Sequence, residues 1–263
     1  CIVSLLISII STYGSYQLLR SNKFIKFFIV GFIMLERLRG DLEKLSNKYQ
    51  AKILQRFFKT GKGEYGEGDI FLGIKVPIQR KVAKKYNLKL SEIKELLNSK
   101  IHDHRMVALF ILIDKFKKGN EKEKNEIFGF YLNNTKNINN WDLVDLSARD
   151  IIGEFLLDKD RKIIYKLAKS DALWEKRISI ISTYAFIRKN DFKDTLKISG
   201  LLLKDKHDLI HKAVGWMLRE VGKRNQDVEE EFLKKYYKEM PRTMLRYAIE
   251  RFSDEKKRIY MKR

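Results

Sequence analysis

One cysteine, Cys1, and two prolines, Pro77 and Pro241, are all that 263 residues contain of either type. A lone cysteine excludes an internal disulfide framework and any cysteine-rich zinc or iron–sulfur site, and it suits a reducing compartment. So few prolines leave long stretches free to wind as helix, and no alternating apolar–polar run marks a strand. Acidic residues are absent from the first 33 positions and are outnumbered 34 to 55 by Lys and Arg over the whole chain. The resulting formal charge of +21 favours a polyanionic partner, while a Lys-rich composition alone also describes an ordinary basic surface. Apolar runs at 2–10 and 27–33 both fall short of the ~20 residues that span a bilayer. Histidines number four, and only His207 and His211 have the i, i+4 spacing of a metal pair. With no third ligand nearby, neither a metal site nor a cofactor is expected.

Residues 1–33 form an apolar leader, and Met34 is the first methionine, after which an amphipathic pattern begins at once. The native protein is therefore expected to start at Met34, with the leader an upstream extension and residues 34–263 the functional domain. A short secretion or anchoring segment, with Cys1 as a lipid-modified residue, is the competing reading.

What the chain has in quantity is helical periodicity. Leu35, Leu38, Leu42, Leu45, Tyr49, Ile53, Leu54 and Phe57 predict one amphipathic helix over 35–58. Residues 60–69 carry four glycines and must be a loop. That loop is no phosphate cradle, because it lacks a Gly-Lys-Ser/Thr ending and follows no strand. An apolar connector, Ile70 to Val76, then leads into a helix with Pro77 at its start.

Beyond residue 90 one slot recurs. A basic residue precedes an apolar helical run at Arg105, Arg177, Lys212 and Arg242, and Asp145 occupies the same slot before Leu146-Ser147-Ala148. The slots are 30 to 40 residues apart, the period of HEAT or armadillo repeats, which stack into a curved solenoid. In this series only Asp145 is anionic.

Trp141 and Asp145, at i and i+4, share a helix face with Val144, Ala148, Ile151, Ile152 and Phe155, so the carboxylate points inward. An inward carboxylate must meet a cation or border a wet cleft. Arg177 also points into the apolar sector of its own helix and is the candidate partner, whether as a structural tie between repeats or as a group that holds Asp145 ionised and reaches a phosphate. Trp216 lies off the buried stripe of its helix, beside Lys212, Arg219 and Lys223, which suits stacking or cation binding, whereas Trp174 is expected in the core. A carboxylate, two aromatic platforms and a basic groove suit a reaction through a sugar cation with a positively charged leaving base.

At these residues the chain resembles the AlkD-type DNA alkylation-repair family, glycosylases built from HEAT-like repeats. The likeness runs from about Leu35 to the C-terminus and rests on Phe71-Leu72-Gly73-Ile74-Lys75-Val76-Pro77, Asn140-Trp141-Asp142-Leu143-Val144-Asp145, Trp174-Glu175-Lys176-Arg177 and the nine residues from Lys212 to Glu220. The resemblance implies that Asp145 is the catalytic carboxylate, that Trp141 and Trp216 contact the damaged nucleotide, and that Arg177 belongs to the same cleft. It further implies excision of cationic N3- and N7-alkylpurines from duplex DNA without metal or cofactor. The glycine-rich loop and the 240–247 segment are those of a sub-branch, and Tyr65 is taken as the lesion contact from that loop.

The expectation is thus an all-α, HEAT-like or armadillo-type solenoid with a basic concave face, a cytoplasmic monomer that binds alkylated duplex DNA. In it Lys212, Arg219 and Arg242 neutralise phosphates. A non-catalytic DNA-structure binder and a protein-interaction solenoid are the rival readings; a steep salt dependence of DNA affinity distinguishes either DNA reading from the last.

Overall fold

The computed structural model describes residues 23–262, with side chains from residue 31 on. Over that span the chain is helical, and the one extended pairing is an isolated parallel bridge between Ile70 and Ile101. Helix α1 (Lys23–Glu43) runs across Met34, and the rest of the expected leader, residues 1–22, lies outside the described residues. No described helix is long and apolar enough to cross a membrane.

The single helix expected over 35–58 is two. After α1 the chain turns, and Asn47 caps α2 (Lys48–Phe57) by accepting the Gln50 N–H on its side-chain oxygen at 2.9 Å. Leu35, Leu38 and Leu42 are buried, whereas Leu45, Tyr49, Ile53 and Phe57 are exposed. The stripe kept its period, but the turn rotated its second half away from the core. Behind α2 the 70–76 connector is fixed by Asp103, whose carboxylate accepts the Leu72 and Ile74 N–H groups at 2.8 and 3.2 Å and the Gln79 amide at 2.9 Å.

The remaining helices are α3 (Val76–Ala83), with Pro77 in its first turn, α4 (Leu90–Leu97), α5 (His102–Lys118), α6 (Glu121–Leu132) and α7 (Trp141–Ala148). A π-helical turn, Arg149–Gly153, continues α7. Then follow α8 (Lys162–Ala168), α9 (Leu173–Ser182), α10 (Tyr184–Ile187), α11 (Lys193–Leu201), α12 (Asp208–Gly222), α13 (Gln226–Tyr236), α14 (Arg242–Ala248) and α15 (Asp254–Met261). Helices α5, α7, α9, α12 and α14 pack side by side in one row, and α4, α8 and α13 back onto α5, α9 and α12. This is the stacked-hairpin arrangement of a helical-repeat protein. The five slot residues stand at or near the N-terminal ends of the five row helices.

One core runs the length of the row, from Leu109 through Val144, Ile178 and Val214 to Met244, all fully buried. Each such aliphatic side chain contributes about 1.5–3 kcal/mol on leaving water. Gly215 lets α12 and α14 approach closely, because a Cβ there would collide with the Met244 carbonyl and the Tyr247 Cβ of α14.

Candidate active site

The first turn of α7 is built as an electrostatic joint. Asp142 accepts the Leu143 N–H on Oδ1 at 2.8 Å, placing negative charge where the helix dipole favours it. Its Oδ2 lies 2.9 Å from Nε2 of His102, which is only 2% exposed, and Nδ1 of the same ring lies 3.2 Å from Asp69. Arg105 closes the cluster on Asp69 at 2.6 Å. Although burial disfavours its charge, the two carboxylates push the His102 imidazole up to about 9. Below that pH the ring is a cation bonded on both nitrogens. A stack of rings stands against the joint: Phe71 lies 4.4 Å from His102, Phe58 5.0 Å from Phe71, and Trp141 5.1 Å from the other side of Phe58, near parallel. Trp141 is thus fixed from behind, with the edge of Phe57 6.0 Å away.

One turn further on, Asp145 is gripped by Arg177 of α9. The guanidinium donates from Nε to Oδ1 at 2.8 Å and from Nη2 to Oδ2 at 2.7 Å, and Nη1 donates to the Leu209 carbonyl at the start of α12. A single side chain therefore ties three successive repeats together through a bidentate pair. Burial pushes the Asp145 carboxyl above the ordinary carboxylate range, and Arg177 opposes that push. The carboxylate still keeps 17% of its side-chain surface open to the cleft, while Arg177 is almost enclosed.

The cleft has a volume of about 770 Å³, and Trp141, Asp145, Arg177 and Trp216 all line it. Of the expected DNA contacts, Tyr65, Lys212 and Arg219 line it too. The Tyr65 ring stands with its edge toward Trp174 at 6.0 Å. Trp174, expected in the core, is only half-buried, because it sits at the start of α9 where the loop covers it. Trp216 donates from its indole to Glu220 at 3.1 Å, with Tyr184 6.4 Å away.

The cations differ from expectation in their pairing. Lys212 meets Asp208 at 2.7 Å, and Arg219 is held by Glu250 and Glu220. Arg242 lies away from the cleft, exposed, donating to the Met261 carbonyl at 3.0 Å. Arg105, another basic slot residue, is buried on Asp69. Two cleft cations that no motif marked, Lys59 and Lys206, are exposed and make no ion pair with a described residue. Phe57, read in the sequence as part of a buried stripe, is also a cleft residue. Their only signal lay in flanking the glycine-rich loop and the start of α12. The spaced histidines serve local structure: His207 accepts the Leu209 N–H on Nδ1 at 3.1 Å, and Nε2 of His211 lies 2.6 Å from the Asp205 carbonyl. Among the described residues no group of three or more His, Cys, Asp or Glu is placed to hold a metal ion.

A row of helical repeats with a carboxylate–arginine pair between two tryptophans defines the class of protein. The chain belongs to the DNA alkylation repair enzyme family, whose model matches residues 38–252. Among solved structures it is similar to a predicted DNA alkylation repair enzyme from Enterococcus faecalis, at 17% identity over 80% of this chain and 97% of that one, with a TM-score of 0.64. AlkD2 from Streptococcus mutans is similar at 20% identity over 84% of this chain and 97% of that one, with a TM-score of 0.51. At such identities the likeness is one of fold. No curated protein matches the chain.

Proposed function

We propose that the protein is a DNA glycosylase that hydrolyses the N-glycosidic bond of cationic N3- and N7-alkylpurines in duplex DNA. The observation that carries this reading is the Asp145 carboxylate, bonded twice to Arg177, partly open to a cleft, and flanked by Trp141 and Trp216. An alkylated purine already bears positive charge, so it departs as a neutral base without a general acid. What remains for the protein is to stabilise the sugar cation that forms as the bond breaks and to direct a water to its C1′. Asp145 supplies the negative charge for the first task and an acceptor for the water proton in the second. The electron-rich faces of Trp141 and Trp216 lie against the deoxyribose and favour the same cation. Arg177 holds the carboxylate in one orientation, which is preorganisation rather than proton transfer.

In this reading the protein works as a cytoplasmic monomer without metal or cofactor, and Lys59, Lys206 and Lys212 bear on phosphates around the lesion. A second reading has one observation in its favour: both Asp145 oxygens are already engaged by Arg177, as in a structural ion pair of a DNA-binding scaffold. Base release from methylated duplex DNA distinguishes the two. The wild type is expected to free alkylpurines, and Asp145→Asn to bind the duplex but release base at least ~100-fold more slowly, the usual loss for removing a charge-stabilising group. Duplex binding by both proteins with no base freed by either sinks the glycosylase reading.

A further inference from the structure

Away from the cleft, helices α11 and α13 both pack on α12 and meet one another at no more than isolated contacts. Between them and the end of α8 lies a groove of about 650 Å³, which shares no lining residue with the active-site cleft. Its lining recurs at one-turn spacing, with Leu196 and Gly200 on α11 and Val228, Phe232 and Tyr236 on α13. The Tyr165 hydroxyl is already bonded to Asp194, so what this residue offers an incoming group is its ring. Leu201 also lines the groove and is 48% exposed; over residues 79–258 it is the one large apolar side chain left exposed.

Nothing in the fold requires glycine at position 200. Its φ is not positive, and a Cβ there would meet nothing within 4 Å, whereas at Gly153 and Gly215 it would collide with a neighbouring helix. Glycine inside a helix costs ~1 kcal/mol relative to alanine, and what it leaves here is an open groove. Lys169, Lys197 and Lys235 stand exposed around that apolar surface, and none pairs with a described carboxylate. Glu231 is the one acid of the lining, and it too has no ion pair. The Lys235 ammonium lies 5.0 Å from the centre of the Tyr236 ring. Around the cavity at the end of α5, by contrast, Lys117 and Lys159 meet Asp150 and Glu121 at 3.1 and 3.2 Å.

We propose that this groove is a docking site for a partner protein, taking an amphipathic helix that carries acids beside its apolar face. Lining residues one turn apart on both walls match the i, i+4 spacing of such a helix. The three lysines meet the acids that border its apolar stripe, and Glu231 disfavours a partner with the opposite charge. A nucleic acid would satisfy the lysines but leave Leu196, Leu201, Val228 and Phe232 without apolar cover, so the chemistry favours a protein. A partner seated here leaves the cleft open to DNA, because the two surfaces have no residue in common. The inference does not depend on the glycosylase reading.

Anisotropy titration of the full chain with a fluorescein-labelled synthetic helix of about 15 residues, leucine on one face and glutamate beside it, tests this. Micromolar binding is expected, undiminished by saturating duplex DNA, with protection from hydrogen exchange at 193–201 and 226–236. The same helix with lysine in place of glutamate is expected not to bind. Gly200→Trp, which fills the groove, and Lys169→Gln/Lys197→Gln/Lys235→Gln are each expected to weaken the glutamate helix about 10-fold, the loss of three modest ion pairs in the second case. Both variants are expected to bind duplex DNA with the wild-type dependence of log K on log salt. Absence of peptide binding, displacement of the peptide by DNA, or wild-type affinity in Gly200→Trp overturns the proposal. So does a salt slope for DNA that falls by about 2.7 in the lysine variant, which assigns the groove to nucleic acid. Should Gly200→Trp fail to fold, the lysine variant, which alters only exposed side chains, decides alone.

Discussion

His102 and Asp142 are 40 residues apart in sequence and 2.9 Å apart in space, and their contact joins the N-terminus of α5 to the first turn of the helix that bears Asp145. Asp69, from the end of the glycine-rich loop, bonds the opposite nitrogen of the same ring. The loop that presents Tyr65 and the helix that presents Trp141 are therefore fixed to one imidazolium.

The charge on that ring makes stability depend on pH. Its folded value of about 9 exceeds the ordinary 6.5, so the stabilisation is complete below pH 6.5 and is lost as pH rises through 9. A rise of that size corresponds to ~3 kcal/mol. Thermal unfolding of the wild type is expected to show a declining melting temperature across this window, and His102→Gln a lower melting temperature at pH 6 with a flatter profile. Parallel profiles for the two proteins would contradict the assignment.

Arg177 opposes the upward push that burial gives Asp145. Removing it leaves a mostly buried carboxylate without its cation, which costs ~3–5 kcal/mol. On the glycosylase reading the reaction requires the ionised form, so activity is expected to be lost as pH falls through the Asp145 pKa, and Arg177→Gln to move that acid limb to higher pH. The pH dependence of single-turnover base release measures the shift. A variant that loses rate with its acid limb unmoved would place the role of Arg177 elsewhere.

Cleft cations divide into those with carboxylate partners and those without. Lys59→Gln and Lys206→Gln are each expected to lower the salt slope of DNA binding by about 0.9. Arg219→Gln is expected to lower it less, since Glu220 and Glu250 already neutralise that guanidinium. Equal effects at all three positions would mean that the acids swing away when DNA binds.

Glu229, 1% exposed and with Oε1 unpartnered, is pushed by burial up to about 9. The unfolded chain releases this proton near the ordinary 4.5 while the folded protein retains it, so stability declines as pH rises from 4.5 toward 9. Glu229→Gln is expected to raise the melting temperature at pH 8 by about 2–4 °C for each kcal/mol recovered, and to change it little at pH 4.5. A drop at pH 8 would mean that the carboxyl has a partner of its own.

The sequence by itself determined the helical class, the repeat and the centre of the cleft. A slot that returns every 30 to 40 residues needs only local periodicity to be seen, and its five members do stand near the starts of five helices in a single row. Trp141 and Asp145 share a face because four residues make about one turn, a relation that folding does not alter. Only the tertiary structure decided how charges pair and where an apolar stripe points. Arg219 is neutralised by Glu250 from outside its own helix, and Arg242 is occupied by a C-terminal carbonyl, neither of which spacing along one helix can reveal. Likewise the turn at 44–47 carried Tyr49, Ile53 and Phe57 out of the core without disturbing their period. Amphipathic spacing fixes which residues lie together on a helix; which surface they meet depends on the direction the chain takes between helices, and that is set by contacts such as Gly73 against Ala51, far apart in sequence.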